Sequence, residues 1–195
     1  MLELGEIATV FSGLSVPEAR SGDARYMRLA DLSDLKAGRA PTLVFGKAPE
    51  VARALPIEEG DLIVAARGKG TDVCAATQDV LGVFISLDLY LVRPQPRRIN
   101  SDYLRAVLEL PATQTLLAAG KQGSGLARLP KEVLEKTPIP IPPLHRQRLI
   151  AGLALSFDDE RRLLTRLGEL KGRLGQELVG RMVRHFEQQH PRRSA

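Results

Sequence analysis

The sequence predicts a mixed α/β (α+β) globular head followed by one long C-terminal helix of the coiled-coil type. Three observations carry that expectation. Through the first two-thirds of the 195-residue chain, short apolar runs alternate with Gly- and Pro-bearing turns. The stretch TPIPIPPLHRQRLIA, Thr137 to Ala151, then forms a stiff strap, because Pro138, Pro140, Pro142 and Pro143 each fix φ and remove a donor. Beyond it, Leu163, Leu167, Leu170, Leu174, Leu178, Met182 and Phe186 recur at three- and four-residue steps, as on one helix face. The expected organisation is a head over residues 1–140, a helix over 141–190 and a basic tail at 191–195.

In order along the head, Leu2–Val10 reads as a helical turn or a strand, and FSGLS as a glycine turn. Tyr26–Leu29 and Pro41–Phe45 are short strand candidates separated by a turn at Asp31–Ser33. Leu62–Ala66 is an apolar run short enough for a buried strand, and Arg67–Asp72 a polar, glycine-bearing loop. Val73–Ala76, Gly82–Ile85 and Leu89–Val92 continue the strand pattern until Pro94 and Pro96 close it. Ser101-Asp102 suits the N-cap of a helix through Leu110, and Pro111 starts another through Ala119. Gly120–Gly125 (GKQGSG) is a second flexible loop, and Pro130 opens a brief helix ending near Lys136. The last helix is expected from about His145 to near Gln188, roughly 65 Å at 1.5 Å per residue. Gly152, Gly168, Gly172, Gly175 and Gly180 each cost about 1 kcal/mol relative to Ala in its interior, so the helix needs packing.

Composition narrows the classes. No apolar run approaches the ~18 residues of a membrane span, and MLELGEIATVF lacks the pattern of a signal peptide, so a cytoplasmic protein is expected. The single Cys74 excludes an internal disulfide and a cysteine-based metal site. The net charge is +5, yet residues 1–144 balance and the excess lies wholly in residues 145–195. A polyanionic partner is suggested, but the charge does not single out the head.

No catalytic constellation is evident. The histidines, His145, His185 and His190, all lie in or after the strap, outside the head, and no Ser sits in a nucleophile elbow. Neither RGKGT nor GKQGSG has the spacing of a phosphate-binding loop, so no cofactor, metal or catalytic residue is expected. The two basic, glycine-bearing loops are better functional candidates. Arg67, Lys69, Lys121, Gln122, Ser124 and Arg128 could contact a duplex, since Arg, Lys and Gln supply the donors that read base edges and phosphates. Two solvated surface loops are the plainer alternative. Tyr26 and Tyr90 read as packing residues, and Arg161, Arg162 and Arg166 as a solvated helix face. The stripe Leu163, Leu167, Leu170, Leu174, Leu178 and Met182 reads as a helix–helix interface.

The motifs LGEIATVFSG at the start, YMRLADL at 26–32, EGDLIVAARG at 59–68, SDYL at 101–104, GSGLARL at 123–129 and PIPIPPLHRQRLIA at 138–151 together resemble the specificity subunit of type I restriction–modification enzymes. The last block is the most specific. The resemblance follows one target-recognition domain, residues 1–140, and its following helix, whereas family subunits typically carry two of each. It implies a half-size, non-catalytic DNA-binding subunit that dimerises through its helix, reads a gapped palindrome in double-stranded DNA and holds an adenine methyltransferase subunit. It leaves a restriction subunit open as a further partner. A protein-only scaffold or an orphan DNA-binding regulator of a defence system is the alternative.

Overall fold

The computed structural model describes residues 1–15, 21–50, 54–68, 70–123 and 125–189. The opening LELGEIATVFS holds three elements in succession: β1 (Leu2–Glu3), α1 (Leu4–Ile7) and β2 (Ala8–Ser12). Leu4 and Ile7, three residues apart on one face of α1, are both fully buried. The expected glycine turn starts later than FSGLS suggests, because the strand runs through Ser12. Gly13 then lies so close to the turn that precedes Leu89 that a Cβ would sit 2.0 Å from the Ser86 carbonyl oxygen. Only glycine permits that approach.

β3 (Ala24–Met27) is followed not by a plain turn but by a 3₁₀ turn, Leu29–Asp31, and α2 (Leu32–Lys36). The Arg28 N–H donates to the Asp31 carboxylate at 2.7 Å, and Leu32 and Leu35 are buried one helical turn apart. That burial makes a helix of a five-residue segment too short to form alone. The remaining head strands are β4 (Val44–Gly46), β5 (Leu62–Ala65), β6 (Val73–Ala75), β7 (Phe84–Ile85) and β8 (Leu89–Pro94). Pro94 does not stop β8 short: it is the last paired residue, opposite Ala8.

Among the described residues, a four-stranded antiparallel sheet of order β2-β8-β5-β6 is the centre of the head. β5 and β8 read as continuous apolar runs because both their faces are covered. Leu62, Val64, Tyr90 and Val92 point into one core with Ile99, Leu104, Leu108 and Leu117. Ile63, Ala65, Leu89 and Leu91 point into a second with Met27, Leu32, Val80 and Ile85. The period-two alternation of a strand divides one run between two cores. Helices α3 (Ser101–Glu109) and α4 (Pro111–Ala119) cover the first face. The small sheet β4-β3-β7 lies on the second. The N-cap of α3 is Asn100, one residue before the expected pair; its side chain accepts from the Tyr103 N–H at 2.9 Å.

α5 (Lys131–Glu135) leads into the strap, where β9 (Pro138–Ile139) pairs antiparallel with β1. Two residues at a sheet edge tolerate a proline that a central strand would not. α6 (Leu144–Gln189) then begins one residue before expectation and runs for 46 residues. The compact unit is Met1–Leu155, and Ser156–Ala195 forms a second unit. At the root of α6, Gln147 is completely buried. Its Oε1 accepts from the Asn100 N–H at 2.8 Å, and its amide donates to the carbonyls of Pro142 at 2.8 Å and Arg98 at 3.4 Å. In the second unit, Leu163, Leu167, Leu170, Leu174, Leu178 and Met182 are 46–73% exposed. No helix among the described residues is long and apolar enough to cross a membrane.

Candidate nucleic-acid interface

Arg67 follows β5 and Arg128 follows the GSG turn, 61 positions later in the chain. The backbone brings them opposite each other in an isolated antiparallel bridge. The Leu129 N–H donates to Ala66 O and the Ala66 N–H to Asp88 O, both at 2.8 Å. Gln122 joins from the second loop, exchanging two 2.8 Å backbone hydrogen bonds with Arg128. Gly123 and Gly125 take φ of 102° and 80°, in the left-handed region that glycine permits. The junction therefore gathers Arg67, Gln122 and Arg128, all partly or well exposed, from two loops that the sequence alone does not connect.

Lys121 behaves differently. Its Nζ donates to the carbonyls of Gly68 at 2.9 Å and Gly70 at 2.7 Å, bracing the first loop from the second. Burial lowers its pKa, with Asp72 opposing. Two of its three donors are thus engaged within the fold. Gln114 of α4 holds the other side of the same loop, accepting from the Thr71 N–H and donating to the Thr71 carbonyl. The sequence did not single out Gln114. Lys69 and Ser124, the two remaining contact candidates, lie outside the described residues.

Two like-charged side chains opposite each other in a bridge repel. The structure answers with Asp88, in the turn before β8. Its Oδ1 lies 3.0 Å from Arg67 Nε and 3.9 Å from Arg128 Nη1. The nearer contact is ionic only: the Arg67 Nε–H is not aligned on the carboxylate and has no hydrogen-bond acceptor among the described residues. The Arg128 guanidinium also stands 5.7 Å from the Tyr90 ring centroid, within cation–π range. Beside Asp88, a cavity of about 290 Å³ is lined by Leu14, Arg28, Val44 and Ser86 among others. Nothing in the sequence pointed to Asp88, since its partners are 21 and 40 positions away.

The packing residues are where they were expected. Tyr90 is buried and its hydroxyl donates to Leu129 O at 2.7 Å; Tyr26 is buried and its ring centroid is 5.7 Å from that of Phe84. Arg161, Arg162 and Arg166 pair with Asp158, Asp159 and Glu169 along the exposed face of α6. No group of three or more His, Cys, Asp or Glu among the described residues could hold a metal ion. Burial pushes the Cys74 thiol up to about 12, so it is protonated and unreactive near neutrality.

The arrangement presents guanidinium and amide donors on rigid backbone with an exchangeable counter-ion, which suits an anionic, hydrogen-bonding ligand. The model of the family described as type I restriction modification DNA specificity domain matches residues 1–169. Among solved structures, the HsdS subunit from Thermoanaerobacter tengcongensis superposes with a TM-score of 0.58 at 23% identity, covering 83% of this chain and 37% of that one. A structure described by complex assembly and conformational transition of the type I R-M system gives a TM-score of 0.65 at 22% identity, covering 90% and 42%. The type I restriction–modification S subunit from M. genitalium gives 0.58 at 15% identity, covering 90% and 43%. At these identities the likeness shows the fold, and the chain spans about two-fifths of the length of those proteins. A comparison with curated proteins finds no match.

Proposed function

The chain belongs to the type I restriction modification DNA specificity domain family, and from that premise we propose that it is a sequence-specific DNA-binding specificity subunit without catalysis of its own. The observation that carries this reading is the junction that brings Arg67, Gln122 and Arg128 together on paired backbone. Arginine matches the paired acceptors of guanine, glutamine matches the adjacent acceptor and donor of adenine, and a rigid backbone fixes their register.

The exposed stripe of α6 supports a second element of the proposal, a homodimer formed through Leu163, Leu167, Leu170, Leu174, Leu178 and Met182. An amphipathic helix with an exposed apolar stripe is stabilised by a second copy. Two identical heads related by a two-fold axis read inverted half-sites, so the target is a gapped palindrome. In this reading the dimer holds an adenine methyltransferase subunit over that target, and a restriction subunit where one is present.

The test is selection from a random duplex library with the 195-residue chain. An enriched palindrome with a fixed gap is expected, and deletion of one heptad, Leu167 to Arg173, should change the gap and leave both half-sites intact. Circular dichroism confirms that the deleted helix still forms. Asymmetric sites would overturn the homodimer. A library without enrichment would overturn the reader and favour a protein-only scaffold.

A further inference from the structure

Resting on the DNA-reading function proposed above, we infer that Asp88 is a specificity-determining residue: it holds Arg67 and Arg128 in place and makes the head discriminate against unselected duplex. Three features of the junction point to it. The carboxylate serves two arginines at once, at 3.0 and 3.9 Å, and is the only anionic partner of either guanidinium among the described residues. Neither contact is an aligned hydrogen bond, and all three side chains are 31–41% exposed, so each pair is weak although the Arg67 Nε itself is buried. The backbone bond from the Ala66 N–H fixes the Asp88 main chain beside both loops whatever the side chain does.

The consequence follows from how duplexes are bound. Unselected DNA is held almost entirely by phosphate contacts and counter-ion release. A carboxylate between two arginines competes with each phosphate for the same guanidinium and repels the backbone as it approaches. That opposition weakens every duplex. At the selected site the arginines engage base edges, and a carboxylate at this place accepts from a cytosine amino group, which recovers part of the loss. Asp88 thus lowers affinity in general and raises the ratio of selected to unselected binding. The contrast with an ordinary structural counter-ion is testable, because a purely structural Asp88 would affect both duplexes alike.

Asp88→Asn is isosteric and preserves the backbone bonds of the turn; Asp88→Ser is a second, smaller variant that removes the charge without amide geometry. Affinities for the selected duplex and for a scrambled duplex are measured between 50 and about 200 mM salt. For both variants, scrambled-duplex binding should tighten roughly five- to tenfold, from two guanidiniums released from surface pairs. The slope of log affinity against log salt should steepen by about one to two. The selected duplex should gain less, so the specificity ratio falls, and Asp88→Glu should restore it. Equal weakening of both duplexes, or an unchanged ratio and slope, would overturn the inference while leaving the DNA reader standing. Wild-type chain that prefers neither duplex would overturn the reader and this inference with it.

Discussion

Two arginine–aspartate centres in the head use the same chemistry to opposite ends. Arg93, at the end of β8, meets Asp61 through two aligned hydrogen bonds, Nε to Oδ1 at 2.9 Å and Nη2 to Oδ2 at 2.8 Å. It also donates to Pro56 O at 3.1 Å, pairs with Glu58 at 3.0 Å and lies 5.9 Å from the Phe11 ring centroid. Asp61 is 1% exposed and also accepts from the Glu58 N–H. The hydrogen bond to Asp61 is the foremost cause of a raised Arg93 pKa. Every guanidinium nitrogen has an acceptor within the fold. At the Arg67–Asp88–Arg128 junction the same ions are half-exposed, misaligned and shared. A fully satisfied pair fixes structure; an unsatisfied one on rigid backbone is free to meet a ligand.

The largest test of that contrast is Asp61→Ala, which leaves Arg93 without its bidentate partner and should cost about 3 kcal/mol of stability in urea unfolding. The corresponding Asp88→Ala should cost less than about 1 kcal/mol, as for an exposed pair. Equal losses at both sites would erase the distinction. Close to the locked centre, Gln147→Ala leaves the Asn100 N–H and the Pro142 carbonyl without their partner at the root of α6. It should cost about 2 kcal/mol, read as a lower melting temperature.

The pH dependence offers a third check. Because burial raises the Cys74 pKa to about 12 from an ordinary 9.0, the fold favours the protonated thiol. Its contribution to stability is present below pH 9 and is lost as pH rises towards 12. At pH 8 a thiol reagent should therefore label the chain only as fast as it unfolds, and faster in Asp61→Ala than in Asp88→Ala. The smallest effect belongs to Lys131→Ala, which breaks an exposed pair with Glu135 at 3.3 Å on α5. A loss of about 0.3 kcal/mol is expected, and no change in DNA binding.

How much of this was legible in the sequence divides along the same line. β5 and β8 were visible because a strand buried on both faces is a continuous apolar run, as LIVA and LYLV are. The amphipathic stripe of α6 was visible for the matching reason, a period of 3.6 sustained over many turns. α2 was hidden because five residues carry too little periodicity, and Leu32 and Leu35 become helical through tertiary burial. β1 was hidden because a two-residue edge strand exists only through its partner β9. In the candidate interface, Arg67, Gln122 and Arg128 could be named from basic, glycine-bearing loops. Asp88 could not, since it matters through partners distant in sequence. Lys121 looked equivalent to the arginines, and its bonds to Gly68 and Gly70 emerge only when the loops meet.

The most direct test of the account is a panel of single-base substitutions in the selected duplex, titrated with the wild-type chain and with the combined Arg67→Ala, Arg128→Ala variant. Lys131→Ala serves as the folded control. The double variant should lose about 1–3 kcal/mol of discrimination at one or more positions in each half-site, with the remaining positions read as before. A double variant that folds and keeps the wild-type preference at every position would contradict it, and the reading surface would have to be sought elsewhere on the head.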